Sequence, residues 1–124
     1  MTTQPAVLVI GLLPELVDFT PFPGMDAATV RRGIAAQVEQ LSAKGYAAES
    51  LYVDFGATAE SVVAEKLAAT TYACVVIGAG ARVPPVHFLL FEKLINVVHA
   101  RAPQTKIAFN TSPTDTVEAV QRWV

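Results

Sequence analysis

The sequence predicts a small doubly wound α/β fold of three layers, with a four-stranded parallel sheet in the order 2-1-3-4 between two layers of helices. Three observations carry this expectation. Two short apolar runs, Ala6–Gly11 and Tyr72–Gly78, contain β-branched residues and close on glycine, the pattern of strands buried on both faces. Segments of helical period alternate with these runs and with two less apolar strand-like stretches, giving four strand–helix pairs without a repeated motif. At 124 residues, 52% apolar and only 16% charged, the chain has the length of one domain, spanning 1–124, and the composition of a dense core.

The first strand is Ala6-Val-Leu-Val-Ile-Gly11. A helix follows from Asp26 to Lys44, because Val30, Ile34, Val38 and Leu41 recur at spacings of four, four and three. Asp26 is its N-cap and Gly45 its terminator. Ala48 to Phe55 contains Leu51, Val53 and Phe55 in alternation, with Gly56 directly after, and reads as a less completely buried strand near an edge of the sheet. Thr58 is expected to cap a second helix reaching about Thr70, with Glu60 near the positive end of its dipole and Val62, Val63 and Leu67 inward.

Tyr72–Gly78 is the second central strand. After a turn rich in glycine and proline, Val86 to Arg101 presents a wide apolar face of Phe88, Phe91, Leu94, Ile95 and Val98 until Pro103 stops the helix. Thr105–Asn110 is the last strand. Ser112, Pro113 and Asp115 then supply an N-cap, a proline at the first helical position and an acid at the third, so a final helix runs to the C-terminus. Right-handed crossovers make such strands parallel. The order 2-1-3-4 centres the two most apolar strands, whereas 3-2-1-4 would leave the third at an edge. In element order the chain resembles flavodoxin-like and Rossmann-like architectures, which by itself implies no activity.

Composition excludes several classes of function. Nine Lys and Arg against eleven Asp and Glu give a net charge of -2 without a basic block, which disfavours nucleic acid as a partner. A single cysteine, Cys74, precludes an intrachain disulfide, argues against structural zinc and fits a reducing cytoplasm; its mid-strand position reads as an inert core thiol. The apolar stretch Ala6–Leu13 is stopped by Pro14 and preceded by no positive residue, so neither a signal peptide nor a membrane span is expected. No Gly-x-x-x-x-Gly-Lys-Ser/Thr and no Gly-x-Ser-x-Gly occurs. The loop after the first strand lacks a hydroxyl-rich turn for a flavin phosphate, and Gly78 stands where a phospho-receiver would carry its acceptor aspartate. No motif fixes a reaction or a cofactor.

Doubly wound sheets bind ligands beyond the carboxyl ends of their strands, where the winding direction reverses. With order 2-1-3-4 that point lies between the first and third strands. The loop Leu12–Met25 is longer than fold closure requires and carries Glu15, Asp18, Phe19, Thr20 and Phe22 between stiffening prolines. It reads as a binding lid, or as a loop whose phenylalanines plug the core or pack on a neighbouring subunit. Gly78-Ala-Gly-Ala-Arg-Val-Pro-Pro85 reads as an anion site: Gly78 and Gly80 admit close backbone approach, and Arg82 offers two parallel hydrogen bonds. The alternative is a tight strand-to-helix turn with Arg82 paired to a surface acid, because a lone Gly-x-Gly is weak.

His87, in the first turn of the expected helix, is available as a base or hydrogen-bond donor, or else is a buried histidine bonded to a backbone group. His99 lies about 18 Å away at roughly 1.5 Å per residue, so the two cannot share a metal within one chain; it reads as a cation at the helix C-terminus. Asn110 and Thr111 face the same edge as further ligand groups, with an Asx turn as the alternative role of Asn110. Asp54 lies at the margin of the cleft, or serves as a turn residue before Gly56.

Two functions are compatible with this arrangement. In the first, an anionic small molecule carrying phosphate or carboxylate is held by Gly78, Gly80, Arg82, Asn110 and Thr111. His87 or Asp18 would move any proton, and Phe19 or Phe22 would cover the pocket. In the second, the chain is a non-catalytic self-associating module, because helix 86–101 is apolar on more than one face and leaves Leu90, Val97 or their neighbours to seek a partner. A homodimer through helix 86–101 is expected in both.

Overall fold

The computed structural model describes residues 4–124. Strands β1 (Ala6–Leu12), β2 (Ala47–Val53), β3 (Cys74–Ile77) and β4 (Lys106–Phe109) form an all-parallel sheet in the order β2-β1-β3-β4. The helices are α1 (Ala27–Ala43), α2 (Ala59–Ala69), α3 (Ala79–Arg82), α4 (Phe88–Arg101) and α5 (Thr116–Gln121). The expected architecture and strand order are therefore present.

Successive side chains of a strand point to opposite faces, and β1 divides accordingly. Leu8, Ile10 and Leu12 join Val75 and Ile77 beneath α2 and α4, with Val63, Leu90, Leu94 and Val98. Val7 and Val9 join Cys74, Val76 and Ala108 beneath α1 and α5, with Ile34, Leu41, Val117 and Val120. Cys74 is fully buried, and burial pushes its thiol up to about 11, so it stays protonated. Among the described residues, no helix is long and apolar enough to cross a membrane.

Asp26 caps α1 as expected, its carboxylate accepting the Thr29 amide at 2.7 Å, and Gly45 ends the helix with a left-handed φ of 98°. Other helix starts differ. Thr58 precedes α2, but its hydroxyl donates to Asp54 at 2.7 Å and makes no cap bond to its own helix. Asp54 instead accepts the amides of Gly56 and Thr58 and so organises the turn. The last helix begins at Thr116, later than the Ser112 cap implied: Asp115 accepts the amides of Thr111 and Ser112, closing a turn around Pro113. The Val117 amide is then capped across the fold by Oε1 of the buried Gln37, at 2.9 Å.

The helix expected over 86–101 is present as α4, starting at Phe88, and the glycine- and proline-rich turn before it contains the short α3 and a 3-10 turn at Pro85–His87. Pro84 causes the break: it precedes another proline, which disfavours helical backbone, and it adopts an extended ψ of 129°. The phase of α4 also differs. Leu90, Leu94 and Val98 form the buried line, while Phe91 and Ile95 are half-buried at its side. Phe88, expected inward, is exposed, and Leu90, expected to seek a partner, is sealed against α2 and the sheet. Val97, also expected to be free, packs against the same core from a half-buried position. Packing between α2 and α4 selects one line from an apolar stripe wide enough for either.

The two outer strands are finished differently. β4 is short, and Arg122 donates to its Phe109 carbonyl at 2.9 Å. On β2, Glu49 accepts hydrogen bonds from the Tyr72 hydroxyl and, at 3.2 Å, from Lys66. Burial, followed by the Glu49 hydrogen bond and charge, pushes the Tyr72 phenol up to about 12. A phenol whose folded value is raised contributes stability below its unfolded value of about 10, and loses it as pH rises through the folded value. Alkaline titration followed by tyrosinate absorbance should thus show a late component near pH 12 that is missing from Tyr72→Phe.

Candidate functional site at the carboxyl edge of the sheet

Where β1 and β3 end side by side, the chain departs in opposite directions, and the loops after β1, β3 and β4 meet. Gly78 is required there by close approach. Its amide donates to the Ile10 carbonyl at 2.8 Å, and a Cβ at this position would stand 3.2 Å from that same oxygen. The next amide, of Ala79, donates to Asn110 Oδ1 at 2.8 Å. Asn110 is 3% exposed and donates through Nδ2 to Thr116 Oγ1 at 3.0 Å. Its side chain thereby ties the start of α3 to the start of α5, a longer-range bond than the Asx turn considered from the sequence.

Arg82 reaches the same place. Its guanidinium donates through Nη2 to the Asn110 carbonyl and lies over the Phe109 ring, 5.2 Å from the centroid. Among the described residues, Arg82 Nε is the only sealed side-chain polar atom without a partner. Thr111 is exposed, and its amide and hydroxyl are both bonded to Asp115. Those hydrogen bonds hold the Asp115 carboxyl below its ordinary range, against the burial that raises it. Gly80 faces open space, and its carbonyl accepts from His87 Nδ1 at 2.8 Å.

A carbonyl oxygen only accepts, so His87 carries its proton on Nδ1, and the neutral ring has its lone pair on Nε2. The ring is 6% exposed and packs against Phe55 at a centroid distance of 5.3 Å. Asp18 lies in the β1 loop, exposed, and accepts the Thr20 amide at 3.0 Å. Hydrogen bonding by Thr20, from its side chain first and then its amide, draws the carboxyl below the ordinary range, and no hydrogen bond joins it to His87. The same loop is tied down by an ion pair between Glu15 and Arg31, whose guanidinium stands 4.8 Å from the centroid of the Tyr52 ring. Phe19 is half-buried, whereas Phe22 is exposed.

Gly78, Arg82 and Asn110 are therefore brought together with Gly80 and His87 close by, while Asp18 and Thr111 take separate local partners. The gathered groups bond mainly to one another. Hydrocarbon occupies the flanks: Ala81 is fully buried against β1, and Pro113 packs on Gly33, where a Cβ would come within 3.0 Å of the proline Cβ. Among the described residues, no group of three or more histidine, cysteine, aspartate or glutamate side chains is placed to hold a metal ion.

The conspicuous surface here is apolar. Val83, Val86, Phe88 and Leu89 are 58, 83, 62 and 65% exposed, and Phe55, beside His87, is 52% exposed. The signal for this surface is the apolar run around Pro84 and Pro85, which follows neither a helical nor a strand period. Sequence reasoning found the excess of apolar residues but placed it further along the helix. No protein-family model matches the chain, and no curated protein matches its sequence.

Replacing Asn110 by Ala should leave the Ala79 amide and the Thr116 hydroxyl without their partners. The expected loss is about 1–3 kcal/mol for the stranded buried group, measured by urea denaturation against the wild type.

Proposed function

We propose that the chain is a non-catalytic interaction module that associates with a second copy of itself through Phe55, Val83, Val86, Phe88 and Leu89. One observation carries the reading: at the edge where a doubly wound sheet ordinarily opens a ligand cleft, the polar groups are spent on the protein itself and large apolar side chains face water. The five side chains expose on the order of 500 Å², comparable with the largest apolar patch of an ordinary monomer. Doubled across a twofold axis, this approaches the roughly 1,200 Å² at which specific interfaces begin. None of the five carries charge, so self-contact sets no like charges among them against each other. A lone thiol sealed in the core accords with a cytoplasmic setting.

Sedimentation and light scattering should find the wild type as a dimer and the Val86→Asp/Leu89→Asp variant as a monomer with an unchanged far-ultraviolet spectrum and melting temperature. A monomeric wild type at high concentration would remove the reading.

Capture of an anionic small molecule is the second reading, favoured by the unpartnered Nε of Arg82 and the open space over Gly80. It would use Gly78, Gly80, Arg82, Asn110 and Thr111, with His87 or Asp18 available for a proton. Calorimetric titration of phosphate and of a dicarboxylate separates the two readings. No saturable heat is expected from either wild type or Arg82→Ala; saturable heat in the wild type that vanishes in the variant would establish the anion site instead.

A further inference from the structure

We infer that association through this surface is gated by His87, the dimer holding while the imidazole is neutral and separating when it takes up a proton. The inference rests on the self-association reading above and adds its regulation. His87 lies within the apolar segment, between Val86 and Phe88 in sequence and against Phe55 in space. Its Nδ1–H is committed to the Gly80 carbonyl, which fixes the ring. Nε2 has no protein partner, yet it is absent from the sealed unpartnered atoms, a class that holds only Arg82 Nε among the described residues. The ring is nearly buried, and it packs on Phe55, one of the five side chains that a second copy would cover.

Covering it has unequal consequences for the two protonation states. A neutral ring gives up one water at an acceptor, whereas an imidazolium gives up the hydration of a charge among hydrocarbon side chains. The neighbouring elements offer that charge no bonded counterion. On α3, Arg82 is turned to Asn110 and Phe109. In the loop after β2, the Asp54 carboxylate is occupied by Gly56 and Thr58. On α4, Glu92 is exposed without a bond to the ring, and Lys93 stands beside Gly56, 3.8 Å from Glu60 of α2. A twofold contact also sets the same histidine on both copies, so two charges would be covered together. Histidine is the side chain that ordinarily changes charge between about pH 5 and 8. Because each copy must shed a proton to associate, the association constant should fall with decreasing pH by up to about a hundredfold per unit.

Sedimentation velocity between about pH 5.5 and 8 tests this with wild type, His87→Gln, His99→Gln and Leu89→Asp. The glutamine amide at 87 can still donate to Gly80 but carries no charge. Wild type and His99→Gln should dissociate as pH falls, while His87→Gln should remain associated throughout. Retention of the wild-type pH dependence in His87→Gln, or its absence from an associating wild type, would overturn the gate. Association of Leu89→Asp equal to that of wild type would instead sink the self-association reading itself. Should His87→Gln fail to fold, nuclear magnetic resonance of the wild-type imidazole decides: its titration must move to lower pH as protein concentration rises, and a midpoint independent of concentration rejects the proposal.

Discussion

Burial of the sheet on both faces is the constraint from which the rest of the structure follows. β1 and β3 are apolar at every position facing either helical layer, so neither face can be left to solvent, and alternation along the strands assigns Leu8 and Ile10 to one core and Val7 and Val9 to the other. Two helical layers on a parallel sheet require crossovers, and the order β2-β1-β3-β4 places the reversal of winding between the two most buried strands. That reversal crowds three loops onto one edge. The 3.2 Å allowance above Gly78 is a direct result.

Features set by local chemistry were legible in the sequence. The two central strands and the strand order followed from apolar runs closed by glycine, and α1 followed from its period together with Asp26 and Gly45. The unreadable features depend on partners distant in the chain. Gln37 caps α5 from 80 residues away. Asp115 looked like an acid within the first helical turn, yet its carboxylate collects the two preceding amides before the helix begins. On α4, periodicity alone could not decide whether Phe88 or Leu90 faced inward, because both belong to one broad apolar stripe. Docking against α2 made that choice. At the site, the meeting of Arg82 with Asn110 was legible only as shared placement on one edge; that they would bond to each other was not.

The direction in which hydrogen-bonding capacity is spent bears on how this edge works. A small-molecule cleft needs polar groups that converge on empty space. Asn110 instead uses its carbonyl, side-chain oxygen and side-chain nitrogen on Arg82, Ala79 and Thr116. This joins the loops after β3 and β4 into a stiff platform with Ala81 and Pro113 as hydrocarbon fill. Cross-linking of this kind lowers the ordering cost of presenting a contact surface, which supports the proposed self-contact over the alternative of closure around a ligand.

The same bonds explain why the apolar residues lie outside at all. Pro84 halts α3, so Val83 and Val86 lie in the turn, while Phe88 and Leu89 open α4 off the line that Leu90, Leu94 and Val98 bury. A free turn of this composition would collapse onto the core or fluctuate. The hydrogen bond from His87 to Gly80 holds it open, and the Phe55 ring braces the imidazole from the side. In the proposed gate, one residue joins display of the surface to its response to protons. The nitrogen bonded to Gly80 remains a donor in both charge states, so that bond is compatible with either, and an added proton goes to the other nitrogen. The proposed gate would on that ground act on association without undoing the fold at His87.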